Sequence, residues 1–217
     1  MRFFIGDIHG CAHEFEKLIK KVHKKFDDVE LFSVGDVINK GPDSLRCLEL
    51  VKEHNVTAIR GNHEEILLRL VNNPPKTFSE KEERLIKRLN GEEEKWAKEI
   101  QNWNLYEEFE DLDMVHGGLD PRVDSLQFMD PRILTTIRTW DGKGENLNRQ
   151  GKDKPWFKET KWPKQVVFGH WAQLGLMIKK KWVCLDSGCV YGKTLTGWSP
   201  DTDKLIEIKA KKAYSKM

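Results

Sequence analysis

The sequence has little that would place it in a membrane, a secretory route or a nucleic-acid complex. Its 217 residues carry a formal charge of only +2, so no global field draws it toward a polyanion, and no stable nucleic-acid partner is implied. No apolar run approaches the roughly 20 residues of a membrane-spanning helix. The chain opens on an apolar strand, Arg2-Phe3-Phe4-Ile5, without a signal-peptide pattern. Cys11, Cys47, Cys184 and Cys189 lack CxxC spacing, which argues against a zinc ribbon or disulfide framework and for reduced thiols in the cytoplasm. Repeats and low-complexity segments are missing too. One domain over 1–217 is expected, with room for an insertion. The basic tail from Lys204 to Lys216 reads as a solvated end.

What the chain does have is five short glycine-flanked motifs. They are GDIHG at 6–10, GDVINKG at 35–41, GNHE at 61–64, HGG at 116–118 and GH at 169–170. Together they supply Asp7, His9, Asp36, Asn62, His116 and His170. Three imidazoles, two carboxylates and an amide oxygen suit a pair of borderline divalent metals. A lone histidine is usually structural, and His13, His23 and His54 are read that way. His9, His63, His116 and His170 each sit inside a motif.

The spacing of apolar residues places these motifs on a fold. Phe3–Ile5, Leu31–Val34 and Val56–Ile59 read as buried strands that break at Gly6-Asp7, Gly35-Asp36 and Gly61-Asn62. Helices are expected from Glu14 to Phe26, from Ser44 to His54 and from Glu64 to Val71. This rhythm implies a mostly parallel sheet, whose ligands gather at the carboxyl ends of its strands. Residues from about 73 to 110 read as a charged helical insertion, with a capping box from Ser79 to Glu82. Leu112–Val115 and Val166–Phe168 are further strands. Trp182–Leu185, Thr194–Thr196 and Leu205–Ile208 are expected to form an antiparallel or mixed second sheet. The fold class is therefore α/β (α+β): a mixed two-sheet sandwich flanked by helices. The lysine-bearing segment 141–154 reads as a surface loop near the site.

In this order and spacing the motifs resemble the phosphoprotein-phosphatase branch of the calcineurin-like metallophosphoesterases, from residue 3 to about 208, with the insertion outside the match. Asn39–Ser44, Phe168–Trp171 and the run Leu185–Gly192 look most like the symmetrical diadenosine-tetraphosphatase group. The resemblance implies two divalent ions: manganese, with iron, zinc or cobalt as alternatives. Asp7 and His9 would hold one ion and Asn62, His116 and His170 the other, with Asp36 bridging. It also implies direct attack on phosphorus by a bridging hydroxide, with His63 as the acid for the leaving oxygen.

Two positions depart from the family pattern. Asn39 stands where relatives often orient the histidine with an aspartate, and as an amide it is expected to accept a hydrogen bond. Lys40 stands where many relatives grip phosphate with an arginine, so the bidentate fork is lost. Arg138 falls where the family has its other phosphate-binding arginine, with Arg132 and Arg122 as substitutes. Asp43 is expected to be a helix cap, Asp186 a turn residue or a support behind the ligands, Arg60 to make a salt bridge, and Glu65 and Arg69 to pair with each other. Trp140, Trp156 and Trp171 lie near the site in sequence, with core packing their expected role.

The leading function is hydrolysis of dinucleoside polyphosphates, such as diadenosine tetraphosphate to two ADP. The alternative is a Ser/Thr or broad-specificity protein phosphatase. A decayed, non-catalytic relative would be expected to have lost a ligand, and none is missing. The oligomeric state is left open by the sequence.

Overall fold

The computed structural model describes residues 1–217. The first half runs β1 (Arg2–Ile5), α1 (Ala12–Lys25), β2 (Glu30–Ser33), α2 (Ser44–Glu53), β3 (Thr57–Ala58) and α3 (Asn62–Asn72), then α4 (Glu80–Lys87) and α5 (Glu93–Ile100). The second half runs β4 (Tyr106–Glu108), β5 (Leu112–Val115), α6 (Pro131–Thr136), β6 (Thr139–Trp140), β7 (Lys154–Pro155), α7 (Trp156–Glu159), β8 (Gln165–Phe168), β9 (Met177–Ile178), β10 (Trp182–Cys184), β11 (Thr194–Ser199) and β12 (Lys204–Lys209). No helix is long and apolar enough to cross a membrane.

Two five-stranded sheets result, ordered β12-β11-β1-β2-β3 and β4-β5-β8-β10-β9, with β6 and β7 as a separate pair. Side-chain alternation explains why they stack. Phe4, Phe32, Leu112, Met114, Val167 and Val183 point between the sheets and form one core. Their neighbours point outward into two other cores. Phe3, Ile5 and Leu31 meet α1 and α2. Val115, Val166 and Phe168 meet Trp156 and the α6 region. Strands buried on both faces must read as continuous apolar runs, which is how β1, β2 and β8 read in the sequence.

The early elements match the sequence reading within a residue or two. The Asp43 side chain caps α2 by accepting from Arg46 N, and Ser79 and Glu82 form the expected capping box. Several other expectations need correction. The first sheet is mixed: β1, β2 and β3 are parallel, but β11 joins β1 antiparallel and carries β12 with it. Thr194–Thr196 and Leu205–Ile208 therefore extend the first sheet, and only Trp182–Cys184 joins the second, parallel to β8. Alternation marks a strand but does not say which sheet it joins. The helical stretch also ends before 106, because Tyr106–Glu108 pairs with β5. Arg69 pairs with Glu82 at 2.6 Å and ties α3 to α4, while Glu65 pairs with Arg60 at 3.1 Å. The tail is not a free end. Lys204–Lys209 is a strand, and Tyr214 N donates to Val190 O at 2.8 Å.

Candidate metal centre

All five motif loops leave the carboxyl ends of strands, three in the first sheet and two in the second. The ends meet. His116, just after β5, donates from Nδ1 to Val34 O, just after β2, at 2.8 Å. Two glycines let the loops approach. A Cβ on Gly61 would meet Asp36 Oδ1, and a Cβ on Gly169 would meet Asp7 Oδ1. Backbone strain concentrates here as well. Eight non-glycine residues have positive φ, and five of them are His9, Asp36, Asn39, Lys40 and His170. Such conformations cost about 1–3 kcal/mol each and persist only where the surroundings enforce them.

The predicted donors converge. Asp36, His116 and His170 offer ligand atoms within 4.8 Å of one another, as do His9, Asp36 and His63, so Asp36 belongs to both groups. His9 Nε2 lies 3.5 Å from Asp36 Oδ2 and 3.7 Å from Asp7 Oδ2. His116 Nε2 lies 3.4 Å from Asp36 Oδ1 and 3.2 Å from Asn62 Oδ1. Asp7 accepts from His170 N at 3.1 Å.

These residues fit a pair of cations on the chemistry of their outward contacts. Each of the three imidazoles spends one nitrogen on a backbone carbonyl: His9 Nδ1 on Ile38 O at 3.3 Å, His116 Nδ1 on Val34 O, and His170 Nε2 on Thr136 O at 3.0 Å. A carbonyl only accepts, so it fixes the tautomer and leaves the other nitrogen's lone pair for a metal. Burial raises the Asp7 carboxyl, and Asp186 adds to the effect. Burial also opposes ionisation of Asp36, but His116, His63 and His9 outweigh it and hold Asp36 well below the usual range. Burial works against a charged His116 too, yet Asp36 pushes it up to about 9. A cation bound between Asp36 and Asn62 would take over that charge and release the proton.

Lys40 and Arg138, expected to face the substrate, also border this cluster. Lys40 Nζ donates to His9 Nε2 at 2.9 Å. Arg138 donates from Nη2 to His170 O at 2.9 Å, and its Nε is buried with no partner. Burial lowers the Arg138 pKa, and the acids Asp186, Asp36 and Asp7 pull it back. The substitutes are used elsewhere. Arg122 pairs with Asp120 at 2.7 Å and Arg132 donates to Gly144 O. Asn39 does not accept from His63 as expected. Its Oδ1 takes Lys40 N at 2.7 Å, so its Nδ2 faces His63 Nδ1 at 2.8 Å and donates. The His63 proton is thereby kept on Nε2, 3.9 Å from Asp36 Oδ2. Burial lowers His63 to about 4, with Asp36 opposing.

Glu64 carries a role the sequence reading missed. This fully buried carboxylate accepts from Gly61 N and Asp36 N at 2.8 Å, Val37 N at 2.9 Å and Ile38 N at 3.3 Å. It stitches the GDVIN loop to the start of α3 and so sets where Asp36 stands. The only hint in sequence was its place three residues after Gly61, which reads as an ordinary helix cap. Asp186 accepts from Gly188 N at 3.1 Å, the turn role expected of it. Trp140, Trp156 and Trp171 are core residues, 8%, 0% and 6% exposed, and offer no open ring face. The 141–154 loop folds back through Leu147 O onto Arg138 N and Thr139 N, and its Gln150 accepts from Trp171 Nε1 beside His170, but it contributes no residue to the lining of the cavity beside Lys40.

Known proteins resemble the chain along nearly its whole length. The symmetrical bis(5′-nucleosyl)-tetraphosphatase of Shewanella putrefaciens is 28% identical, over 95% of this chain and 97% of that one. A solved structure of a candidate diadenosine tetraphosphatase superposes with a TM-score of 0.82 and 28% identity, covering 96% of this chain and 93% of its own. Serine/threonine-protein phosphatase 1 of Salmonella typhimurium is 51% identical, but over 67 residues, 30% of each chain. The model of the calcineurin-like phosphoesterase family matches residues 3–198. With the donor clusters at its strand ends, the chain belongs to that family and is a metal-dependent phosphoesterase.

Proposed function

We propose that the chain hydrolyses dinucleoside polyphosphates, with diadenosine tetraphosphate giving two ADP. The observation that carries this reading is the double sharing of Asp36 between two donor groups, with Lys40 and Arg138 at their border. Asp7, His9 and Asp36 would hold one divalent ion, and Asp36, Asn62, His116 and His170 the second. Manganese fits this mixed oxygen and nitrogen set, as do iron, zinc and cobalt. The ions, when bound, lower the pKa of water and neutralise phosphoryl charge. Lys40 and Arg138 place positive charge beside the phosphoryl oxygens. Water forms a new bond to phosphorus and gives up a proton to solvent, the bridging P–O bond breaks, and its electron pair leaves with the departing nucleotide's oxygen.

His63 supports the anhydride over the protein ester. With Asn39 donating to its Nδ1, the ring offers a hydrogen bond from Nε2 to the leaving oxygen but resists a second proton. A phosphoanhydride leaves as a stabilised oxyanion and needs only that. A serine alkoxide needs a full proton transfer. The segment shared with the Salmonella protein phosphatase favours the second reading, a Ser/Thr phosphatase on the same metals. Product chromatography after incubating the manganese-loaded enzyme with diadenosine tetraphosphate, beside a phosphopeptide sample, separates the two. ADP as sole product is expected. ATP plus AMP would overturn the symmetry of cleavage, and turnover of the phosphopeptide alone would favour the second reading.

A further inference from the structure

Beside the metal centre, on the His63 side, a cavity of about 600 Å³ runs between α4 and the C-terminal tail. Asn39, Lys40 and His63 form its inner end. Five of its ten lining residues are Lys or Arg, and none is acidic. In a chain of net charge +2 this is a strong local excess. Three of the cations, Lys81, Arg84 and Arg88, recur at the spacing of one face of α4 and its cap. The neighbouring face buries Leu85 in the core, and Leu89, just past the cap, is buried there too. The nearby Glu82 is engaged by Arg69 and by Ser79, so it does not neutralise them. Arg88 keeps Nη1 buried with no partner, and its pKa is lowered by burial and by Arg84 beside it. Two crowded guanidiniums, one with a buried nitrogen that has no partner, are suited to an anion.

The opposite wall is the tail, which brings Lys216 and the ring of Tyr214. Buried Glu14 anchors it by accepting from Lys211 N at 3.0 Å and Tyr214 Oη at 2.9 Å. Tyr191 stands next to it, with Lys40 Nζ 5.6 Å from its ring centre. Lys211 and Lys212 extend the positive band behind Tyr214. The cavity thus offers cations for several phosphate oxygens and two half-buried aromatic faces for a base. Its position fixes which half of the substrate it takes, because His63, the group that hydrogen-bonds the leaving oxygen, lies at its inner end.

We infer that this groove is the binding site for the leaving nucleoside diphosphate, with Lys81, Arg84 and Arg88 gripping its phosphates and Tyr191 and Tyr214 flanking its base. The inference rests on the nucleotide reading given above and adds a specificity site to it. Charge reversal in Arg84→Glu/Arg88→Glu tests it, with Lys81→Glu as a milder second variant. The double variant should lower kcat/KM for diadenosine tetraphosphate by at least about a hundredfold, and the loss for p-nitrophenyl phosphate, whose leaving group is small and carries no phosphate, should be at least about tenfold smaller. ADP inhibition of p-nitrophenyl phosphate turnover should weaken by about tenfold or more, while inhibition by inorganic phosphate, which needs only the metal end, stays within about threefold. Equal losses on both substrates, or ADP inhibition that survives both variants, would overturn the groove. If the wild type fails to cleave diadenosine tetraphosphate but ADP inhibits it and not the variants, the groove stands and the cleavage reading falls. If the wild type cleaves it and the variants do so as well, the cleavage reading stands and the groove falls.

Discussion

The metal-facing loops and the cationic groove beside them lie side by side and are built in opposite ways. The loops hold their side chains with strained backbone, close glycines and a buried carboxylate that gathers four N–H groups. The groove is an ordinary helix face on one side and a hydrogen-bonded tail on the other. Metal chemistry tolerates errors of only a few tenths of an ångström, so every atom of those loops is constrained. Holding a flexible phosphate chain needs charge in roughly the right place. A substitution in the loops should therefore affect every substrate, and one in the groove only those with a second nucleotide.

The largest effect expected is that of Asp36→Asn. The shared carboxylate loses its charge between two donor groups, and turnover of both p-nitrophenyl phosphate and diadenosine tetraphosphate should fall by at least about a thousandfold. Metal content per chain, measured by mass spectrometry, should fall with it. Retention of more than about a tenth of the activity would break the contrast at its root.

Glu64→Gln comes next. Each carboxylate oxygen accepts from two backbone N–H groups. An amide must turn its NH2 toward one of those pairs and leave it unsatisfied, at about 2–4 kcal/mol. Thermal unfolding should show a Tm lower by about 5–15 °C, and activity on all substrates should drop by about 10–100-fold as Asp36 drifts. A normal Tm with full activity would mean that the loop holds itself.

The same contrast decides what could be read from the sequence. Close approach of the loops needs glycine and leaves short fixed words, so the motifs that carry Asp7, His9, Asp36, Asn62, His116 and His170 stand out with no structure at all. The periodicity of α1, α2 and α3 was equally plain. Glu64 was hidden because its partners lie up to 28 residues away and only the fold brings them to it. The sheet membership of β11 was hidden because its partner is β1, nearly two hundred residues earlier. The groove was hidden for another reason. Lys81, Arg84 and Arg88 on a charged helix look like any solvated face, and only the tail across from them makes them a wall.

Asn39→Asp is expected to act more gently and more selectively. A carboxylate at 39 keeps the bond from Lys40 N and accepts from His63 Nδ1, where the amide now donates. It stabilises the imidazolium that burial opposes at about 4. The pKa of the acid rises, so the basic limb of the kcat profile should move up by about one unit. An alkyl phosphate, which needs a real proton, should gain about tenfold relative to diadenosine tetraphosphate. A limb that stays in place would separate His63 from the leaving oxygen and weaken the preference for anhydrides argued from it.

Tyr214→Phe should have the smallest effect, and it tests how firmly the groove is built. The loops are pinned by many contacts, whereas the tail wall hangs from Glu14 and Val190 by a handful of bonds. Removing one neutral-to-charged bond costs about 1–3 kcal/mol of local order. The ring itself stays, so a loss must come from a looser wall and not from a missing face. ADP inhibition should weaken by about fivefold while inorganic phosphate inhibition holds. Amide exchange at Tyr214 and Ser215, whose N–H groups both donate to Val190 O, should quicken, with no change at Asp36 or Val37. If exchange quickens in the loops too, tail and metal centre are one cooperative unit, and the division drawn between them is wrong.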